Sequence, residues 1–443
     1  MTDAGTGSGR HETAEDEVVR LCSELIRIDS RNFGDGSGPG EREAAEYVAA
    51  ALAEVGVESE IVDTGERRTN VVARIAGADR TRDPLLIHCH LDVVPANAED
   101  WTFDPFAAEV HDGCVWGRGA VDMKDMDAMT LAVIRQRLRE GRPPARDVVL
   151  AFFADEEAGG LNGAHRMVES HRDLFEGVRE GIGEVGGFSL DLGTGQRLYL
   201  IETAEKGLAW MRLTARGRAG HGSMINDDNA VTTLCEAVAR LGRHEFPLRI
   251  TPTVRRFLAD LSDVLGIELD ADDMDGVVGK LGPLAIMIGA SLRNTVNPTM
   301  LAAGYKVNVI PGEAQAHIDG RFLPGYEDEF LTEVDAVLGP DVQREFVAHD
   351  AALETDFEGD LVDAACASLQ AEDPGCRPVP YTLSGGTDAK ALHRIGIRCI
   401  GFSPLRLPPD LNFAGMFHGV DERVPVDALT FGTRVLDRFL DLC

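Results

Sequence analysis

The chain has few of the features that mark membrane, secreted or nucleic-acid-binding proteins. It contains no run of 18 apolar residues, so no segment is expected to span a membrane. Residues 1–14 lack the apolar core of a secretory signal, and we expect them to form a disordered tail. Basic residues are scarce: 43 Lys and Arg stand against 75 Asp and Glu, giving a net charge of −32. Such a surface repels nucleic acid and anionic lipid, so neither is an expected partner.

The cysteines also show no pattern that indicates disulfide bonds or a metal site. There are eight of them, with no C-x-x-C pair and no regular spacing. In a chain of 443 residues this is typical of reduced, mostly buried thiols in a cytoplasmic protein. Apolar residues make up 44% of the chain, which predicts a sizeable core, and the length predicts two or three domains.

The first part of the chain alternates predicted helices with predicted strands. Val18, Leu21 and Leu25 recur at helical spacing, and the apolar runs Leu85–Ile87 and Val148–Phe153 are typical of buried strands. This alternation predicts an α/β fold with a mostly parallel, mixed sheet flanked by helices. Such sheets place their functional sites at the carboxyl ends of the strands.

The pattern changes near residue 206 and changes back near residue 320. The elements predicted in between are typical of a small antiparallel sheet covered by helices. They are Leu208–Thr214, Asn229–Leu241, Ala285–Ile288, Tyr305–Val309 and Ala314–Ile318. We therefore predict an α+β domain at 206–320, inserted into a larger domain that is formed by 1–205 and 321–443.

Five short segments each contain residues that can bind a metal ion. They are His90-Leu91-Asp92, Gly117-Arg118-Gly119-Ala120-Val121-Asp122, Asp155-Glu156-Glu157, Glu184-Val185-Gly186-Gly187 and His418-Gly419. Any one alone is equally typical of a strand-end histidine, a helix-capping aspartate or a solvated acidic turn. Together they offer two imidazoles and three carboxylates, a suitable ligand set for two divalent cations with one carboxylate left to bridge them.

These segments, in this order and with these neighbours, resemble the M20 family of metallopeptidases and amidohydrolases. The resemblance runs from about Val18 to Val424. It implies that the larger domain is catalytic and that the insert is a lid domain through which two subunits form a homodimer. It also implies two divalent metal ions, with zinc as the first expectation and cobalt or manganese as alternatives.

The resemblance further implies a role for each residue of the segments. Asp122 is the expected bridging ligand, Glu156 the general base, and Asp92 the partner of the second ring nitrogen of His90. Adjacent glutamates on an extended backbone point in different directions, so one can bind metal while the other faces the attacking water. The full set of expected metal ligands is His90, Asp122, Glu157, Glu184 and His418.

Two acidic residues depart from the family's pattern. Many relatives have glycines after the Met-Lys pair, whereas this chain has Asp125 and Asp127 after Met123-Lys124. Additional negative charge next to the metal ligands leaves the metal preference open.

Other residues resemble the family's substrate-binding segments. His221, between two glycines, is expected to reach the active site of a neighbouring subunit and to hydrogen-bond the oxyanion. Arg321 is a natural partner for a free α-carboxylate, although it could equally form an intramolecular ion pair. Asn294, Asn308 and Gly386 complete the expected contacts.

The sequence therefore predicts a two-metal hydrolase that cleaves an amide bond of small peptides or N-acyl amino acids with a free carboxylate. One alternative is a narrow biosynthetic N-deacylase of the deacetylase or desuccinylase type. An alternative of another class is a non-catalytic metal-binding protein that uses the fold for interaction. The presence of Glu156 argues against the second alternative, because a protein without catalysis needs no general base.

Overall fold

The structure is a computed structural model that describes residues 12–193, 195–269, 276 and 289–443. The helices of these residues are α1 Ala14–Arg27, α2 Arg42–Ala53, α3 Lys124–Arg139, α4 Ala164–Ser170, α5 Ala230–Leu241, α6 Pro252–Leu265, α7 Glu327–Leu338, α8 Asp360–Glu372, α9 Ala389–His393 and α10 Val426–Leu442. The strands are β1 Ser59–Gly65, β2 Arg68–Ile75, β3 Leu85–His90, β4 Val110–His111, β5 Cys114–Trp116, β6 Val148–Phe153, β7 Glu180–Gly183, β8 Phe188–Asp191, β9 Arg197–Glu205, β10 Gly207–Arg216, β11 Gly220–His221, β12 Thr295–Ala303, β13 Val309–Ile310, β14 Glu313–Phe322, β15 Val342–Asp350, β16 Leu353–Glu354, β17 Arg377–Leu383, β18 Arg398–Gly401 and β19 Arg423–Pro425. Within the described ranges, no helix is both long enough and apolar enough to cross a membrane.

The chain divides into two compact units. The first comprises Met1–Glu202, Phe357–Val379 and Ala391–Cys443, and the second comprises Thr203–Asp356 and Pro380–Lys390. The second unit begins close to the start of the predicted 206–320 insert but continues past its end, because β15 pairs with β10. Residues 1–11 of the predicted tail lie outside the described residues, as does the predicted strand Ala285–Ile288.

A mixed sheet forms the centre of the first unit, with the strand order β1-β2-β6-β3-β7-β18-β9. The four strands β6, β3, β7 and β18 run parallel, and the outer strands pair antiparallel. Leu85 and Ile87 of β3 pack into a core cluster with α1 and α3, whereas Leu86 packs into another with α4. Helices therefore cover both faces of this strand, which explains its continuous apolar sequence. The predicted mixed α/β fold is confirmed.

The second unit contains an antiparallel sheet in the order β12-β14-β10-β15. Helices α5 and α7 pack on it through a cluster that includes Leu234 and Phe330. The strand predicted at Tyr305–Val309 forms only at β13, and β12 was not predicted. Most of β12 is exposed at the edge of the sheet and it contains Pro298, so it lacks the alternation by which strands are recognised.

A buried carboxylate joins α1 to α3 in the first unit. Glu17 has no exposed side-chain surface and accepts hydrogen bonds from Arg20, Arg135 and Arg139. Arg135 is itself only 6% exposed, so it has little access to water as an alternative partner. This contact fixes the helix that follows Asp122.

We expect Glu17→Ala to lower the free energy of unfolding by about 3 kcal/mol, because Arg135 loses its buried carboxylate and keeps the ion pair with Glu54, whose side chain is 68% exposed. The matched control is Glu15→Ala on the same helix, whose pair with Arg434 is 46% and 40% exposed. The control should cost about 1 kcal/mol or less. Urea unfolding followed by circular dichroism measures both, and equal losses for the two variants would contradict the prediction.

Candidate metal centre

Three neighbouring parallel strands bring metal-binding side chains to one edge of the sheet in the first unit. His90 is the last residue of β3, Glu156 and Glu157 follow β6, and Glu184 follows β7. Because β6, β3 and β7 are adjacent and parallel, their carboxyl ends meet at this edge. The order of the strands therefore explains how residues far apart in sequence come together.

Two loops supply the remaining side chains. Asp122 lies just before α3, and the peptide bond between it and Met123 is cis. His418 lies between β18 and β19 with a φ of 57°, in the left-handed region that few non-glycine residues adopt. Its side chain is 57% exposed, whereas that of His90 is 1% exposed.

Asp122 stands between the two histidines. Its Oδ1 lies 3.1 Å from Nε2 of His90, and its Oδ2 lies 3.2 Å from Nε2 of His418. Glu184 Oε2 lies 3.3 Å from Nε2 of His90, and Glu157 Oε2 lies 2.9 Å from Nε2 of His418. The side chains thus form two donor groups that share Asp122: the His90 group, completed by Glu184, and the His418 group, completed by Glu157. This is the arrangement that two divalent cations with a bridging carboxylate require.

The two adjacent glutamates serve different groups, although not through an extended backbone as predicted. They lie in a single turn of 3₁₀-helix, Glu156–Ala158, which follows Asp155 in the left-handed conformation with a φ of 65°. Glu157 faces His418, whereas Glu156 Oε2 lies 4.0 Å from Nε2 of His90. The left-handed Asp155 is held by Arg68 at 2.9 Å and by Asn162.

The contacts of Asp92 correct a sequence-based expectation. Nδ1 of His90 lies 3.0 Å from the main-chain carbonyl of Asp92, while the carboxylate of Asp92 is 3.7 Å away. The carboxylate instead accepts from the main-chain N–H groups of Glu156 and Glu157, at 3.1 and 3.2 Å, and from Asn32 at 2.8 Å. Asp92 lies two residues beyond the end of β3, within reach of the turn that follows the neighbouring strand β6. The N–H groups of Glu156 and Glu157 in that turn bind its carboxylate. Asp92 therefore positions the glutamate turn, and its carbonyl orients the imidazole.

The charges of the two donor groups are strongly coupled. Burial opposes the charged form of His90, but Glu184 and Asp122 outweigh it and hold the pKa of this histidine well above its usual value. Hydrogen bonds to Asp122 and Glu157 raise the pKa of His418 to about 10. Burial and the charge of Asp122 raise the pKa of Glu157 to about 7. So many buried carboxylates favour bound positive charge, which protons or metal cations can supply.

The two acidic residues that depart from the family's pattern belong to neither donor group. Asp125 and Asp127 lie buried in α3. Burial raises the pKa of Asp127 to about 7 and that of Asp125 well above its usual value. Asp127 has Lys124 at 3.9 Å, and the ammonium group of Lys124 donates to the carbonyl of Leu91.

The residues predicted to bind substrate lie in the second unit. Arg321 forms a two-point ion pair with Asp319, with distances of 2.7 and 3.2 Å. The intramolecular ion pair, one of the two roles predicted for this arginine, is therefore observed. Asn294 is buried, and its side-chain oxygen accepts from the N–H of Leu323 at 2.8 Å, which is a structural contact. The carbonyl of Asn308 accepts from the N–H of Gly222 at 2.9 Å.

His221 and Gly386 are placed differently. His221 is exposed on the short strand β11, and its Nδ1 lies 2.8 Å from Oγ of Ser223. A Cβ at Gly386 would lie 2.4 Å from Cε of Lys390, so a side chain there would require this lysine to move. The roles of His221 and Gly386 in substrate binding remain predictions.

Sequence reasoning overlooked a buried lysine in the second unit. Lys206 donates to the carbonyls of Ala290 and Arg293 and to Oγ1 of Thr295, at 2.9–3.0 Å. Burial and the nearby charge of Arg321 lower its pKa to about 7. The signal available in the sequence was the pair Glu205-Lys206, two charges that directly follow an apolar strand.

Comparison with known proteins agrees with this geometry. The profile of the peptidase family M20/M25/M40 matches residues 86–442, and the chain belongs to this family. Membership of this family makes it a metal-dependent hydrolase of amide bonds.

Several relatives match over most of their length. The N-fatty-acyl-amino acid synthase/hydrolase PM20D1 of Xenopus tropicalis is 26% identical over 94% of this chain and 85% of its own. Aminoacylase-1 of Pongo abelii is 27% identical over 82% of this chain and 81% of its own.

Solved structures share the fold at lower identity. The M20 family metallo-carboxypeptidase Sso-CP2 of Sulfolobus solfataricus has a TM-score of 0.72 and 19% identity, with 96% of this chain and 99% of that chain covered. The YXEP protein of Bacillus subtilis, described as a dinuclear metal-binding peptidase, has a TM-score of 0.60 and 15% identity, with 96% and 97% covered.

We expect metal binding to release protons and to weaken as the pH falls. The raised pKa values of His90 and His418 keep both imidazoles protonated at pH 7 in the metal-free protein, so a cation must displace those protons. Calorimetric zinc titrations in buffers of different ionisation enthalpy should show net proton release at pH 7. Binding without proton release, or affinity that is independent of pH between 6 and 8, would contradict this.

Proposed function

We propose that the protein hydrolyses the amide bond of small peptides or N-acyl amino acids that carry a free carboxylate, with two zinc ions bound at the metal centre. The observation that carries the proposal is Asp122, whose two carboxylate oxygens face the imidazoles of His90 and His418. Imidazole and carboxylate donors suit zinc, and cobalt or manganese could replace it in the same groups. We assign the His90 group to one ion and the His418 group to the other.

The proposed substrate class rests on the relatives. One of them is named for the hydrolysis of N-fatty-acyl amino acids, another is an aminoacylase, and a solved structure is a carboxypeptidase. All these names describe cleavage of an amide bond next to an amino acid. A narrow N-deacylase would use the same centre and is distinguished only by its substrate range.

Glu156 is the proposed general base. Two divalent ions, when bound, would polarise the scissile carbonyl and make an attacking water more acidic. Glu156 takes the proton from this water and then delivers it to the leaving amine. Its main-chain N–H is fixed by Asp92 at 3.1 Å, which supports a defined position for its carboxylate next to the His90 group.

Residues of the second unit are assigned to the substrate. Arg321 is the proposed partner of the free carboxylate, with Asp319 holding its guanidinium from one side. Asn294, Asn308 and Gly386 are the further proposed contacts of the substrate.

We also propose that two copies form a homodimer through the second unit, in which His221 of one copy stabilises the oxyanion in the other. The exposed position of His221 and the neighbouring exposed apolar side chains support this. Met224, Ile225, Tyr305 and Val307 are between 68% and 104% exposed, and such surfaces mark protein contacts. A cytoplasmic location is supported by the eight cysteines, which are all free thiols.

We expect Glu156→Gln to lower kcat by about 10²–10⁴-fold while both metal ions remain bound. The measurement is turnover of a panel of dipeptides and N-acyl amino acids by the zinc-loaded protein, with metal content determined by mass spectrometry. Glu169→Gln, at an exposed glutamate of the same unit, is the control and should keep full activity.

Wild-type turnover by the two-metal Glu156→Gln variant would rule out Glu156 as the base. Activity on a single N-acyl amino acid, with none on dipeptides, would identify the narrow deacylase instead.

We expect mixtures of the inactive variants His221→Ala and Glu156→Gln to regain activity after subunit exchange. A mixed dimer combines an intact Glu156 in one copy with an intact His221 in the other, so one of its two sites is complete. Random exchange of equal amounts should give about a quarter of the wild-type rate. If the mixture stays inactive although mixed dimers form, His221 acts within its own subunit or not at all.

A further inference from the structure

A buried ion pair, Arg118 with Glu422, lies behind the two loops that supply Asp122 and His418. We propose that this pair is a positioning clamp that fixes the His418 loop relative to Asp122. The metal ion of the His418 group, which binds second, depends on the clamp, whereas the ion of the His90 group, which binds first, does not. The inference rests on the proposed two-ion centre. It assigns the function to residues that make no direct contact with the metals.

Glu422 holds the Asp122 side of the clamp. Its side chain has no exposed surface, and its Oε1 accepts from the main-chain N–H groups of Val121 at 2.8 Å and Asp122 at 3.2 Å. Its own carbonyl accepts from the N–H of Gly117 at 3.0 Å. The segment that ends in the bridging aspartate is therefore fixed at three points by one residue.

Arg118 holds the His418 side. It is 4% exposed and donates from Nη1 to Oε2 of Glu422 at 2.6 Å. Its Nη2 donates to the carbonyl of Gly419 at 2.9 Å and lies 3.4 Å from the carbonyl of His418. One guanidinium thus connects the His418 loop to the carboxylate that also fixes Asp122. A planar fork of donors suits this task, because it satisfies acceptors on two sides at fixed angles.

The His418 loop needs such a constraint. His418 and Asp421 both have a positive φ, 57° and 61°, and non-glycine residues keep such conformations only where their surroundings enforce them. The outer end of the loop is held by Thr102, which donates to both carboxylate oxygens of Asp421 at 2.7 and 2.8 Å. At the inner end, next to the imidazole, the constraint is Arg118.

The other donor group has a different support. His90 is the last residue of β3 and pairs with Phe153 of β6. Glu184 directly follows β7, whose last residue, Gly183, accepts from the N–H of Phe402, so the sheet holds the strand end next to each side chain. The two groups share Asp122 but differ in what holds the histidine. Loss of the Arg118 contacts, which leaves Glu422 bonded to the Asp122 segment, should therefore weaken the ion of the His418 group selectively.

The test is metal binding by Arg118→Lys, which keeps the charge but removes the fork of donors. Cobalt titrations of the apo protein, followed by calorimetry and visible absorption, give both binding steps. We expect the first step to keep the wild-type affinity and the second to weaken about 10–100-fold, as typical for residues that orient metal ligands. His418→Ala, which retains only the His90 group, gives the reference titration for a single ion.

Glu422→Gln serves as the second variant, and Arg137→Lys as the matched control. Arg137 is 1% exposed and pairs with Asp437 at 2.8 Å in the same unit, so it reports the effect of perturbing a buried ion pair elsewhere. The control should leave both steps unchanged even if its Tm falls. If Glu422→Gln fails to fold, Arg118→Lys alone decides the outcome.

Two results would overturn the proposal. Either both steps stay at wild-type affinity in Arg118→Lys, or both weaken equally and in proportion to the fall in Tm, as general destabilisation would produce. Binding of two ions by a wild-type protein that hydrolyses no amide would refute the proposed function and leave the clamp open to the same titration. The two failures are therefore distinguishable.

Discussion

The shared carboxylate of Asp122 is the contact on which the metal centre depends. Each of its oxygens faces one imidazole, so the position of Asp122 sets the separation of the two donor groups. Three further carboxylates lie nearby with little exposure: those of Asp92, Glu157 and Glu184. Buried anions at this density repel one another and are costly without cations. A folded chain that keeps them together is therefore adapted to hold positive charge at this point.

His90 and Glu184 lie at the ends of sheet strands, whereas Asp122 and His418 lie in loops. Parallel strands covered on both faces cannot shift their carboxyl ends without breaking the core. The loops that contribute Asp122 and His418 have no such ladder of hydrogen bonds, and buried side chains replace it. Asp92 and Glu422, which belong to neither group, accept hydrogen bonds from the main chain of the segments that carry Glu156 and Asp122.

The fold class and the meeting of the five segments could be predicted from the sequence. Strand and helix periodicity indicated the fold class, and the order and neighbours of the five short motifs indicated that they meet. The structure does bring His90, Asp122, Glu157, Glu184 and His418 together. Their roles as ligands remain predictions. The contact of Arg118 with Glu422 joins residues about 300 positions apart, and no local pattern announces such a pair. The left-handed conformation of Asp155 and the exposed edge strand β12 were not predicted either, because tertiary contacts, rather than local propensity, determine them.

The order of the donors along the chain has a consequence for how the protein is made. All members of the His90 group have been synthesised once Glu184 has been added, whereas His418 follows about 230 residues later. At ordinary translation rates this delay is roughly 10–50 s. The nascent chain therefore contains every side chain of the His90 group well before it contains His418, which completes the other group.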